Sequence, residues 1–179
     1  MKTLDDIFDE YCDQDFLSPQ TLKELIWHLE HDADPARSIS RTTDMGLKKL
    51  APCIAKHLDH EDDYVRELSV GCLLGRLKLP EYAEIGFKMA QEDPDSGPRS
   101  LAIFRIGEVL NEIKEKNLQH QIAFYLYQIL MGVKEKGSSS KKGSAYNSIL
   151  APMEVSIPGR PGVRDLATSI DFDLLELTI

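Results

Sequence analysis

Two pairs of histidines carry the sharpest chemical signal in the chain. His28 and His31 stand three residues apart, and so do His57 and His60. On a helix that spacing puts both rings on one face. With Asp59 or Glu61 alongside, such a pair could offer nitrogen and oxygen ligands to zinc. The alternative is that the pair is duplicated with its surroundings, at helix ends where a polar or cationic ring is favoured. The second reading is preferred, because no cysteine stands next to either pair and the pairs belong to different segments. Cys53 and Cys72 fall on apolar helical positions, which suits core thiols better than nucleophiles served by His57. Asp62 and Asp63 fall in an exposed turn, where neither carboxyl is pushed toward acid–base work. No glycine-rich phosphate loop and no serine elbow occurs. The expectation is a chain with no catalytic residue, no metal and no cofactor.

Composition narrows the classes further. The 179 residues hold 30 acidic and 21 basic side chains, a formal net charge of −9. Nucleic acid demands Lys/Arg patches, so this balance argues against it, as it does against a polybasic membrane binder. At 42% hydrophobic and 28% charged the chain is of ordinary globular composition, long enough for one domain with a sizeable core. Met1 to Asp6 turns acidic at once, unlike a secretory leader, and the longest apolar stretch, residues 122–133, is too short to span a bilayer. Three widely spaced cysteines, Cys12, Cys53 and Cys72, make no disulfide framework. These features predict a reduced, cytoplasmic protein.

The excess charge is concentrated. Residues 1–34 hold ten acids and two bases, and the remaining 145 residues hold 20 acids and 19 bases. Between Leu4 and Phe16 there are six acids and no base. Leu4, Ile7, Phe8 and Tyr11 recur at helical spacing, so one stripe faces a core and Asp5, Asp6, Asp9 and Asp13 share the solvent side. One reading is a solvated face with charge that suits a helix N-terminus. The other is an acidic strip that binds a basic partner. Like charges four apart destabilise a helix unless something else is gained, which favours the strip.

The elements that must position these groups come in repeats. From His28 to Ser40 and from His57 to Ser69, six of thirteen positions are identical at an offset of 29. Gly46 matches Gly75 at the same offset, and a third copy, residues 92–102, follows residues 59–69 at an offset of 33. Periods near 30 with helical patterning predict stacked helix pairs. In each unit an apolar helix (Leu47, Leu50, Ile54, Ala55, Leu58) ends in an acidic turn and a second helix follows (Val65, Leu68, Cys72, Leu73, Leu77). The third unit runs from Tyr82 to Ala90 and from Arg99 to Glu112. The whole chain divides into an acidic capping helix (1–17), three units (about 20–112) and a fourth helix pair (117–150). The fourth pair is interrupted by a flexible Ser/Lys loop (134–144), and a Pro/Gly-rich tail (151–179) follows, either helical or extended at its end. Trp27 and most of Phe124, Tyr125, Leu126 and Tyr127 are expected in the core, with at least one of the tyrosines outside.

Pro52 in a first helix, Asp62-Asp63 in the turn and Val65-Arg66 opening the second helix resemble the HEAT repeat family. Pro94-Asp95 with Pro98-Arg99, and Asp34 with Arg37, repeat the theme. The resemblance covers residues 22–112 well, and 117–150 by helical pattern only. It implies an all-α fold, a short right-handed α-solenoid, with Arg37, Arg66 and Arg99 in structural roles. It also implies a binding surface on the second helices, where Glu67, Gly71, Leu74, Phe104, Arg105 and Glu108 are the face candidates. The acidic strip and the cluster Asp59, Glu61 and Asp62 would add charge complementary to a basic protein. Bacterial toxin-immunity proteins include HEAT-like examples, so a small acidic inhibitor of a basic nuclease is the sharpest expectation. A general scaffold or assembly adaptor is the alternative, and a HEAT-type bilin lyase or isomerase is a third. A HEAT-type DNA glycosylase is opposed by the charge.

Overall fold

A computed structural model describes residues 1–130, and among these there are eight α-helices and no strand. The fold class is all-α. The Ser/Lys loop, the expected helix near residues 145–150 and the Pro/Gly-rich tail lie outside the described residues.

Side-chain caps explain most helix starts. Helix α1 (Leu4–Gln14) opens with a reciprocal box: the Thr3 hydroxyl accepts from the Asp6 amide, and the Asp6 carboxylate accepts from the Thr3 amide. It stops at Asp15, whose backbone turns left-handed. Ser18 caps α2 (Pro19–His31) and Asp34 caps α3 (Pro35–Asp44), each followed by a proline, which has no amide hydrogen to leave unsatisfied. Gly46, at φ +64°, then reverses the chain. Asp62 caps α5 (Asp63–Val70) through the amides of Tyr64 and Val65. Asp95 stands in the same place before α7 (Ser96–Glu108) but makes no cap bond, because its carboxylate is held elsewhere.

Two expected helices are broken. The first helix of the second unit is a tight 3₁₀ turn (Lys48–Leu50) followed by the short α4 (Ala51–Ala55), with Pro52 resetting the helix start. The second helix does not run evenly to Leu77. After Val70 it widens into a π-type stretch (Gly71–Arg76), where the Leu77 amide reaches back five residues to the Cys72 carbonyl. In the third unit a 3₁₀ turn at Pro80–Tyr82 leads into α6 (Ala83–Glu92), and α8 (Lys116–Leu130) follows α7.

The helices pack in sequence order. Helix α1 lies on α2 and α3; α3 lies on α5, α5 on α7, and α7 on both α6 and α8. Fully buried side chains run through every one of these layers: Ile7, Leu25, Ile39, Ile54, Val70, Leu73, Ala83, Ile103, Ile106, Ile122 and Leu126. Trp27 departs from expectation: it is 41% exposed, its ring stacked on His31 at 5.0 Å between centroids.

Candidate interaction surface

Helix α1 presents its four aspartates as the periodicity requires. Leu4 and Ile7 are buried, and Asp5, Asp6, Asp9 and Asp13 are exposed. The four are not equivalent. Asp5 is held by Arg37 at 2.6 Å and by Arg41 at 3.5 Å, and Arg41 also lies 4.3 Å above the Phe8 ring. Asp6 is committed to the Thr3 cap, whose hydroxyl and amide hold its carboxyl below the usual range. Glu10 turns toward the body, where Lys2 and the Thr21 hydroxyl bind it and lower its pKa. Asp9 and Asp13 make no hydrogen bond or ion pair among the described residues. They are the uncommitted charges of the strip.

The histidines prove to be clips between elements. His28, 8% exposed, sets Nε2 against the Lys2 carbonyl and Nδ1 against the Asp32 carboxylate, both at 2.9 Å. His57 sets Nε2 against the Leu29 carbonyl at 2.7 Å. His28 thus reaches the backbone of the segment before α1, and His57 that of α2. His31 contacts the Trp27 carbonyl, and His60 Nδ1 accepts from the Asp62 amide at 3.0 Å. Among the described residues no three His, Cys, Asp or Glu side chains are grouped to hold a metal. Cys72 is buried and Cys53 partly so, and burial pushes both thiols up, away from the reactive thiolate.

The acidic turn has an exposed rim over a rigid base. Asp59, Glu61 and Asp62 are exposed. Beneath them Arg66 is 6% exposed and fully engaged. Its Nε and Nη2 donate to the two oxygens of buried Asp93 at 2.9 and 3.0 Å, and Nη2 also to Asp95 at 2.7 Å. Its Nη1 donates to the His60 and Glu61 carbonyls at 2.7 and 3.1 Å. Asp93 raises the Arg66 pKa further. Burial alone would raise that of Asp93, yet the guanidinium outweighs it and the net shift is downward. Arg99 repeats the grip on the carbonyl six residues back, that of Asp93. Arg66 and Arg99 are therefore structural. Arg37 is exposed and spends its charge on Asp5 instead.

The second-helix face needs correction. Leu74 is 1% exposed and abuts Gly86, where an added Cβ would sit 2.6 Å from its Cδ1, so it is core and no partner can reach it. Gly71 is buried as well. A Cβ on Gly97 would meet Glu67 at 2.6 Å, one on Gly71 would meet Leu101 at 3.0 Å, and one on Gly75 would meet the Arg105 guanidinium at 2.6 Å. These pairs form a ladder in steps of four residues along α5 and its continuation, and along α7. Glu67 and Arg105 are thus only half-buried parts of a seam between the two helices. Arg105 also binds Glu108 at 2.6 Å and lies 5.0 Å from the centre of the half-buried Phe104 ring.

Four aromatic groups escaped the sequence reading as surface. Tyr64 is 62% exposed, Phe16 59% and Phe124 50%, beside Trp27. In the aromatic run it is Phe124 that points outward. Tyr125 is buried, its hydroxyl donating to the Ala90 carbonyl at 2.8 Å and its ring edge-on to Phe87. Tyr64 has a legible signal, because it follows the cap Asp62 by two residues, a position at the solvent-facing start of α5. Tyr64, Asp62 and His60 face Arg37, Arg41 and Asp44 across an open cleft of about 550 Å³ between α3 and the start of α5. No helix among the described residues is long and apolar enough to cross a membrane. Comparison with protein-family models, with curated proteins and with solved structures returns no match for this chain.

Proposed function

We propose that this protein is a non-catalytic, protein-binding module of short right-handed solenoid form, HEAT-like in its repeats, whose acidic N-terminal strip recognises a basic partner. The order of packing, with α3, α5 and α7 in successive contact, supports the solenoid reading. The observation that carries the partner reading is the state of Asp9 and Asp13. Two exposed carboxylates share a helix that holds five acids and no base, and no cation among the described residues pairs with them. Such charge is retained at some cost to the helix and is repaid by association, which it speeds and orients. Asp59, Glu61 and Asp62 would extend the same field along the turn rim. Within this class the most specific function is an inhibitor, or immunity protein, that neutralises a basic toxin such as a nuclease.

The test is capture of partners on wild type and on a variant carrying Asp9→Asn and Asp13→Asn, at low and at high salt, with identification by mass spectrometry. One dominant basic protein, lost in salt and on the variant, and whose activity the wild-type chain suppresses, supports the inhibitor. A second reading is a general adaptor, favoured by the exposed Trp27, Tyr64 and Phe124, since aromatic anchors bind without charge. Several partners retained in salt would favour it. A partner whose binding ignores Asp9 and Asp13 would remove the strip from the account.

A further inference from the structure

His28 is the one histidine described here with an acceptor against each ring nitrogen. Nε2 faces the Lys2 carbonyl, which cannot donate, so Nε2 must carry a hydrogen. Nδ1 faces Asp32 Oδ1 at 2.9 Å, while the Ser38 hydroxyl donates to Asp32 Oδ2 at 2.6 Å. A neutral imidazole has a single N–H and satisfies only one of these acceptors, whereas the imidazolium satisfies both. The ring is 8% exposed, so water does not substitute freely for a lost bond.

The surroundings favour that proton. From the N-terminal segment come the Lys2 carbonyl and, at the rim, the Met1 amine and the Lys2 ammonium; from α1 comes Asp5; from α2, Glu24; from the turn into α3, Asp32 and Asp34; and from α3, Arg37. Lys2 is itself occupied, its ammonium on Glu10 and its amide on Glu24. Arg37 is occupied by Asp5. Burial opposes the charge on His28, but the Lys2 carbonyl, Asp32 and Glu24 outweigh it, and the net displacement of its pKa is upward. Asp32 moves the other way: burial opposes its charge, and Ser38 and His28 outweigh that.

We propose that His28 is a proton latch: as the imidazolium it ties the N-terminal segment and the first turn of α1 to the α2–α3 corner, and loss of one proton loosens that segment. The device concerns the chain itself and stands whether or not the acidic strip meets a basic partner. What it controls is the fixity of the first turn of α1, where Asp5 and Asp6 sit. Ile7 is fully buried and Phe8 and Tyr11 pack on the core, so α1 is expected to stay on the body while its first turn frays.

The sign follows from linkage. A histidine whose docked pKa lies above its free value stabilises docking fully below the free value, and that contribution drains away as pH rises through the docked one. Between the free value of about 6.5 and the raised value, the docking constant falls by up to about tenfold per pH unit. The experiment is NMR on the full chain from about pH 5 to pH 9, following the His28 ring nitrogens and the exchange of the Asp6 and Ile7 amides corrected for intrinsic rate. The expected result is a His28 midpoint above about 6.5, with corrected exchange at Asp6 and Ile7 rising over the same window while amides of α5 and α7 do not change. Asp32→Asn should lower the midpoint, and His28→Gln should leave exchange at the first turn fast and independent of pH. Should the glutamine variant fail to fold, the wild-type titration and Asp32→Asn still decide. A midpoint at or below about 6.5 overturns the latch. So does a high midpoint with unchanged exchange, or an equal rise in α7.

Discussion

The two ends of the described chain are joined to the middle by charge pairs, but in opposite settings. Between α5 and the end of α6, the side chains of Arg66 and Asp93 are 7% and 4% exposed and share two hydrogen bonds. Between α1 and α3, Asp5 and Arg37 are 55% and 54% exposed and share one. Coulomb attraction and desolvation both scale with burial, so the first pair cannot be broken without leaving a stranded charge, while the second exchanges readily with water. The same chemistry builds a rigid joint in one place and a responsive one in the other. The acidic strip sits on the responsive joint, alongside the His28 contact.

That contrast can be broken first at its strong side. Asp93→Ala should cost about 3–5 kcal/mol, read from the denaturant midpoint, because the buried Arg66 guanidinium keeps the His60 and Glu61 carbonyls but only one carboxylate, that of the half-exposed Asp95. The same pair shapes the acid limb. Since the Asp93 pKa is depressed, its contribution is present above the free carboxylate value of about 3.9 and is lost as pH falls through the depressed value. Next come the glycines. Gly86→Ala should destabilise by about 1–3 kcal/mol, because its methyl would press on the immobile Leu74 and Ile106. Gly75→Ala should be milder, since the guanidinium tip it meets can swing outward; thermal melts of the two variants side by side test the difference. Asp62→Ala removes the α5 cap and should cost about 1 kcal/mol. The smallest effect belongs to the weak side. Arg37→Ala should cost less than about 1 kcal/mol, and the difference from wild type should vanish in high salt. A loss at Arg37 as large as that at Asp93, or one that salt does not touch, would erase the distinction between the joints.

One of the internal sequence matches is carried through into contacts. At an offset of 33, Arg66 and Arg99 make the same carbonyl grip, and the Asp62 and Asp95 amides make the same bond to His60 Nδ1 and Asp93 Oδ1. The offset of 29 misleads. In α3 the buried pairs are Ser38-Ile39 and Thr42-Thr43, whereas in α5 they are Val65-Arg66 and Ser69-Val70. Matching the faces therefore needs an offset of 27 or 31. The sequence match follows the histidine clips at the ends of the first helices, and between those clips and the second helices the turn lengths differ. This is why Arg37, aligned with Arg66, lies on the outside. Leu74 and Gly71 were misplaced on the open face for another reason. Periodicity locates a stripe, but it cannot say whether a neighbouring helix covers it, and at Leu74 and Gly71 one does. The acidic stripe on α1 was readable because few alternatives compete for six unbalanced charges.

The Arg66 grip also bears on how the molecule comes apart. Arrays of helix pairs are able to melt piecewise when the junction energy is small beside that of each unit. Here a single buried side chain on α5 holds the turn before its own helix and the turn between α6 and α7. Peeling α6 and α7 away from α5 would expose both a buried cation and its anion, so a half-unfolded state is penalised at this point. Helices α5, α6 and α7 should therefore behave as one cooperative block, with the N-terminal helix able to fray ahead of it.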